Sequence, residues 1–314
     1  MSHTAWYTRC RLAQERWKRE ALPPEARAPG RVWVDTPRGP EPAGPYPIAL
    51  PEPHARLNLL ASVREAALAR FERHGIPWHN GTPAQGPTTH LLDSQVQCVN
   101  VLLTMDLLAW VRTFEPEAVA LLDVEDESPV AFEWIGDAGH LGEARTRGRF
   151  ATSADAYLLA RRRDGVTAVL VEWKFTEHYD RPVPLRGPGG RDRREIYRAR
   201  YEASEAFSER PPIEAFFHEP HYQLLRLVLL AEGMVRARER GADRAVVVHV
   251  LPEGNADLLA TVPPALGGGR VDRVWEGLVK GPRVRFTRVD GEDVIRRSEA
   301  WERYRECFRT SGST

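Results

Sequence analysis

Asp155, Glu172 and Lys174 are the residues of this 314-residue chain whose types and spacing could do chemistry. Arg162-Arg163-Asp164-Gly165 splits two apolar-rich runs around them. Asp-Gly between apolar runs is a strong hairpin signal. The sequence therefore predicts a strand over 155–161, a tight turn, and a strand over 166–175. Side chains alternate faces along a strand, so Glu172 and Lys174 share one face while Val171, Trp173 and Phe175 take the other. With a two-residue turn Asp155 falls opposite Lys174; with a four-residue loop it falls opposite Glu172. Either register gathers both carboxylates and the ammonium on one face, with facing Cβ atoms roughly 4.5–5.5 Å apart. A three-residue loop would break that parity unless a bulge restored it.

Two carboxylates at this separation can share a divalent ion, because Mg²⁺ takes carboxylate and water oxygens at about 2.0–2.1 Å. A neighbouring lysine can hold an attacking water or steady a phosphate that gains charge in the transition state. The isolated pattern also occurs on solvated strand faces with weak ion pairs. Two features favour a site. The run AVLV before Glu172 reads as a buried strand, where unpaired charge is expensive. The chain also has only three lysines, Lys18, Lys174 and Lys280, so arginine is its default cation and a lysine at 174 reads as a choice for a compact ammonium.

An Asp, a variable gap and then Glu-x-Lys on the next strand resembles the PD-(D/E)xK nuclease superfamily. Asp155 matches its first acid and Glu172-Trp173-Lys174 its Glu-x-Lys, while Ala154 stands where a proline is usual. Ser94, Gln95, Cys98 and Asn100, followed by Glu172, Lys174, Thr176 and Glu177, resemble one bacterial, restriction-endonuclease-like branch. The resemblance implies that Asp155, Glu172 and the Trp173 carbonyl hold Mg²⁺ or Mn²⁺ and that Lys174 orients or activates the water. Glu133, in PVAFEWI, is implied as a further ligand, with a partner for a buried arginine as the other reading. Gln223 in Tyr-Gln-Leu-Leu-Arg is implied to position the scissile phosphate, with Arg226 as the second candidate on that helix. For Gln95 and Asn100, capping and helix–strand hydrogen bonding stand beside a role at the site.

These residues need elements to position them. The pattern gives helices over 54–74 and 90–114, strands over 129–135, 155–161 and 166–175, a helix from 221 to 240 and an internal strand over 244–251. From residue 90 that order is α-β-β-β-α-β, the restriction-endonuclease-like core: an α/β fold with a central mixed sheet flanked by helices. The expected organisation is an N-terminal arm (1–87), a nuclease-like core (88–252) and a helix–strand–helix extension (253–314). A short helix opens the arm, and the Pro- and Gly-rich stretch 21–53 reads as an extended or disordered segment. His249 reads as a core histidine rather than a ligand.

Basic residues cluster in two places. The loop before Asp155 carries Arg145, Arg147 and Arg149, with Arg161 beyond the strand. The insertion 178–213 holds seven arginines between Arg181 and Arg200, with Tyr197 and Tyr201 interleaved. Arg191, Arg193, Arg194, Tyr197 and Arg198, together with Arg226, are the expected nucleic-acid contacts.

The net charge is zero, so no global basic field advertises nucleic acid and local patches must serve. Three scattered cysteines fit neither a disulfide framework nor a zinc site. No signal peptide or membrane-length apolar run is evident, and the expected location is cytoplasmic. The expected function is a metal-dependent DNA endonuclease of a bacterial defence or repair type, acting as a homodimer or a partner-activated complex. The competing reading is a catalytically silent nucleic-acid-binding or scaffold protein with a nuclease-like fold.

Overall fold

The computed structural model of the chain describes residues 4–36, 39–81, 86–143, 145–147, 151–179, 181–187 and 190–309, and Arg149 lies outside them. Helix α1 (Ala5–Ala21) opens the chain, with the Thr4 hydroxyl accepting from the Tyr7 amide at 3.1 Å. The Pro- and Gly-rich stretch, expected to be extended or disordered, is extended and pairs into a two-stranded ribbon, β1 (Gly30–Thr36) and β2 (Gly39–Tyr46). Proline lacks an N–H, but each ribbon strand has a single partner, so the missing donors need break no second ladder. Lys18 pins the base of the ribbon. Its ammonium is buried and donates to the carbonyls of Ala28, Pro47 and Ala49 at 2.7, 3.0 and 2.5 Å.

Both helices expected between 54 and 114 are broken. The first is a 3₁₀ segment (Glu52–Asn58) followed by α2 (Arg64–Arg73). Tertiary bonds at Asn58 explain the break: its amide donates to Thr88 O at 2.8 Å, and Arg303 donates to its backbone and side-chain oxygens at 2.6 and 2.7 Å. The second divides into α3 (Ser94–Leu102) and α4 (Leu107–Val111). Asp93 and Asp106 start them by accepting from the Val96 and Ala109 amides.

The central sheet is mixed and six-stranded. It comprises β3 (Ala120–Leu122), β4 (Val130–Trp134), β5 (Ala154–Arg161), β6 (Val166–Trp173), β7 (Arg244–Val250) and β8 (Val284–Val289). Both β3 and β4 pair antiparallel with β5, β5 pairs antiparallel with β6, and β7 and β8 continue in parallel. Between β6 and β7 the chain forms α5 (Arg193–Glu202) and α6 (His221–Arg236). After β7 come α7 (Ala256–Leu259) and α8 (Val271–Leu278), and after β8 come α9 (Gly291–Arg296) and α10 (Trp301–Phe308).

The order α3-β4-β5-β6-α6-β7 is the expected α-β-β-β-α-β core. The segment after 252 does more than pack on it, because β8 forms an edge of the same sheet. Strand β6 is apolar on both sides because both faces are covered. Val169, Val171 and Trp173 join a core with α1, α3 and α10, while Ala168 and Leu170 join another with α6 and α8. His249 is fully buried in β7, as expected. No helix among the described residues is long and apolar enough to cross a membrane.

Candidate active site

The β5–β6 hairpin settles the register. Ala156 pairs with Val171 and Arg161 with Val166, leaving residues 162–165 as a four-residue loop. One step beyond Ala156–Val171 the same register sets Asp155 opposite Glu172, not opposite Lys174. Arg162 holds the loop: its buried guanidinium donates to Thr167 Oγ1 at 2.9 Å and to Asp243 Oδ1 at 2.6 Å. Gly165 leaves room for this pair, since a Cβ would lie 2.0 Å from Asp243 Oδ2 and displace that side chain.

At the open end of the hairpin, Asp155 Oδ2 accepts the Trp173 amide at 2.5 Å, and Lys174 Nζ lies 2.7 Å from Glu172 Oε1. Strand β6 ends at Trp173, two residues before the expected end, but the Lys174 amide still bonds Val250 O at 2.9 Å. The Trp173 ring points to the opposite face, where its Nε1 donates to Gln97 Oε1 of α3 at 2.9 Å. The strand end is thereby clamped from behind.

Burial, and then the charge of Glu172, push the Asp155 carboxyl well above its ordinary pKa, against Lys174 and the Trp173 amide. Burial disfavours the Lys174 ammonium, but Glu172, Tyr179, Asp155 and Glu177 outweigh it and raise its pKa well above the usual value. Lys174 is therefore a fixed cation at neutral pH. Beneath the site, burial raises the Cys98 thiol well above its usual pKa, and the charges of Asp155, Glu133 and Glu172 add to the effect. The three carboxylates thus converge above one point of α3.

Glu133 sits on β4 with φ +49°, a left-handed conformation that side-chain-bearing residues rarely adopt within a strand. The ladder to β5 skips it, pairing Phe132 with Ala156 and Trp134 with Ala154. Such strain costs on the order of 1–3 kcal/mol and persists only where surroundings over-determine it. Here they do. Glu133 is 1% exposed; its Oε1 accepts from Gln95 Nε2 at 2.8 Å and lies 3.2 Å from His79 Nε2, and its Oε2 accepts from Ser153 Oγ at 2.6 Å. Gln95 thus ties α3 to β4 by a helix–strand hydrogen bond at Glu133, whereas Asn100 accepts from Leu60 N and donates to Asn58 O, tethering the N-terminal segment.

Helix α6 supplies the facing wall. Its start after Pro220 places Gln223 and Arg226, one turn apart, on the site side, with Glu219 Oε2 accepting the Gln223 amide at 3.1 Å. Glu133, Asp155, Glu172, Lys174, Gln223 and Arg226 all line one open cleft of about 520 Å³. The sequence reading did not find His79, His90, Asp93, Ser153 and Tyr179, which line it too. They sit in turns with no periodic pattern to mark them. Ser153 alone carried a signal, its period-two spacing from Asp155. Asp93 is notable because burial raises its carboxyl to about 6 although His79 opposes the shift.

The basic insertion is largely committed internally. Arg194 pairs with Asp192 at 2.5 Å and Glu214 at 3.3 Å, and Arg198 with Glu214 at 2.9 Å. Arg193 donates to Pro184 O at 2.7 Å, while Arg191 is exposed. Tyr197, expected to meet nucleic acid, is instead buried, with its hydroxyl on Glu143, so its ring offers no face for a base. Arg145 and Arg147 are likewise engaged, with Asp137 O and Glu125.

Chemically, the cleft offers crowded carboxylates beside a fixed ammonium. Among the described residues no three His, Cys, Asp or Glu side chains form a metal-holding group. The candidate donor set is two carboxylates and the Trp173 carbonyl, and the mutual repulsion of Asp155 and Glu172 suits a divalent cation, which would neutralise both.

Comparison with protein-family models matches residues 11–300 to the family described as Restriction Endonuclease associating with ARP. Comparisons with curated proteins and with solved structures return no match.

Proposed function

The chain belongs to the family of restriction endonucleases associating with ARP, and we propose that within it the chain is a divalent-cation-dependent phosphodiesterase of the PD-(D/E)xK type that cleaves nucleic acid. The observation that carries this reading is the meeting of Asp155, Glu172 and Lys174 at the end of one hairpin, inside a cleft faced by Gln223 and Arg226. Asp155, Glu172 and the Trp173 carbonyl would hold Mg²⁺ or Mn²⁺. A bound divalent ion would supply Lewis-acid charge to the phosphoryl oxygens and acidify water.

The chain's own residues do the rest. Lys174, kept charged by Glu172, orients the attacking water and opposes the negative charge that develops on phosphorus. Gln223 positions the scissile phosphate from α6. Glu133, locked by Gln95 and Ser153, adds a third carboxylate to the cleft floor and fixes its shape. Arg191, the exposed arginine of the insertion, contacts the backbone outside the cleft. The substrate is DNA, in a bacterial defence or repair setting, and the family's description supports a partner, ARP, in the working complex.

The test is cleavage of plasmid and single-stranded DNA with and without Mg²⁺ or Mn²⁺, comparing wild type with Glu172→Ala. Metal-dependent cleavage that the variant loses supports the reading. Metal-independent cleavage that survives the substitution overturns it.

A further inference from the structure

Tyr179 lines the cleft and has no part in the chemistry assigned to Asp155, Glu172 and Lys174. Its hydroxyl forms no hydrogen bond with any described residue, yet the oxygen is not sealed from solvent. Other tyrosines around α5 spend theirs inside the protein: Tyr197 on Glu143, and Tyr201 on Pro211 O at 2.7 Å.

The ring of Tyr179 is fixed all the same. It packs against Leu251, just past β7, and against Leu258 and Leu259 of α7. Asn255 caps α7, its Oδ1 accepting the Leu258 amide at 3.3 Å. The amide group of the same side chain donates to Phe175 O and Glu177 O, both at 3.1 Å. Trp6 Nε1 of α1 donates to the same Phe175 carbonyl at 2.7 Å, and Glu177 Oε2 accepts the Phe175 amide at 2.6 Å. The segment joining Lys174 to Tyr179 is thus clamped by elements from both ends of the chain.

The charges acting on the hydroxyl locate it. Burial raises its pKa above the ordinary value; Lys174 opposes the shift, and Glu177, Glu219 and Glu172 add to it. Those charges come from the end of β6, the segment after it and the entry to α6. The hydroxyl therefore lies between the strand that carries Glu172 and the facing helix, and it keeps its proton at neutral pH.

A donor fixed in a partly desolvated wall needs little reorganisation and gains most from an oxygen that becomes more negative during the reaction. A phosphoryl group under attack offers such an oxygen. We propose that the Tyr179 hydroxyl donates a hydrogen bond to a non-bridging oxygen of the scissile phosphate, a transition-state contact additional to that of Lys174. The proton stays on the tyrosine, so the contact adds charge stabilisation and no proton-transfer step. This assignment rests on the phosphodiesterase reading.

The test is single-turnover cleavage by Tyr179→Phe, which deletes the hydroxyl and keeps the ring on its leucines. The rate falls by about 10²-fold, the size of a lost transition-state donor. The melting temperature, the oligonucleotide affinity in EDTA and the Mg²⁺ concentration giving half the maximal rate stay at their wild-type values. Oligonucleotides with a single Rp or Sp phosphorothioate at the bond the wild type cuts separate a contact from a structural role. Sulfur accepts hydrogen bonds poorly, so one diastereomer slows the wild type and slows Tyr179→Phe by a clearly smaller factor. Unchanged cleavage by Tyr179→Phe, in a protein whose metal-dependent cleavage Glu172→Ala abolishes, overturns the contact and leaves the phosphodiesterase reading in place. A slower Tyr179→Phe that responds to both diastereomers as the wild type does overturns it too. Metal-independent cleavage that survives Glu172→Ala removes the phosphodiesterase reading and the contact with it.

Discussion

Lys174 Nζ and Glu172 Oε1 lie 2.7 Å apart at the end of β6, and this pair holds the ammonium in a wall that would otherwise favour its neutral form. A lysine fixed in that state is suited to orienting water and stabilising charge rather than to accepting a proton. Lys174→Ala is expected to lower single-turnover cleavage by roughly 10²–10³-fold, the size of a lost transition-state donor. Oligonucleotide binding in EDTA should be nearly unchanged. Cleavage at the wild-type rate would remove Lys174 from the chemistry.

Asp155 faces the opposite situation, since burial and Glu172 raise its pKa well above 3.8. The folded state then binds this proton more tightly than the unfolded chain does. The ionised group therefore costs stability, beginning as pH rises past the unfolded value and growing until the folded pKa is reached. Asp155→Asn should raise the melting temperature in EDTA at neutral pH and abolish any rise caused by Mg²⁺ or Mn²⁺. A lower melting temperature together with an intact metal response would contradict the role given to this carboxylate.

His221 makes stability depend on acid in a way separate from the cleft carboxylates. Its Nδ1 accepts from Trp275 Nε1 at 3.0 Å and its Nε2 donates to Thr261 O at 2.8 Å, an arrangement only the neutral ring satisfies. Burial lowers its pKa from 6.5 to about 4. The unfolded chain then takes up the proton first, so stability is lost as pH falls from 6.5 towards 4, by about 3 kcal/mol in full. Urea unfolding across this window should show a shallower pH dependence in His221→Gln, whose amide can keep both bonds. Equal slopes in the two proteins would refute the assignment.

Lys18→Met tests the other buried lysine. Removing the ammonium leaves the carbonyls of Ala28, Pro47 and Ala49 without their donor. The expected loss is roughly 2–4 kcal/mol of unfolding free energy, since each unsatisfied buried group costs about 1–3 kcal/mol and water can reach some of them. Urea titration reads this directly, and a change within error would mean that Lys18 does not anchor the ribbon.

The sequence by itself determined the core order and the meeting of Asp155, Glu172 and Lys174 at one end of the hairpin. Period-two alternation puts Glu172 and Lys174 on one face whatever the fold, and the apolar runs of β6 and β7 admit only strands covered on both sides. Lys18 and Lys174, two of the three lysines, are both buried, each with a defined set of partners.

Tertiary structure alone decided the rest. The hairpin register depended on Arg162 reaching Asp243, a residue far along the chain that local turn rules do not see. Helix 54–74 broke where Asn58 met Arg303, because a long-range hydrogen bond outweighs the small preference of a residue for continuing a helix, whereas 90–114 divided at a local cap, Asp106. The left-handed backbone of Glu133 is held by side chains from distant segments, Gln95, Ser153 and His79. The insertion read as a basic clamp from its composition, yet its charges are matched by Asp192 and Glu214 and its tyrosine turned inward. Composition counts charges, and only folding assigns them partners.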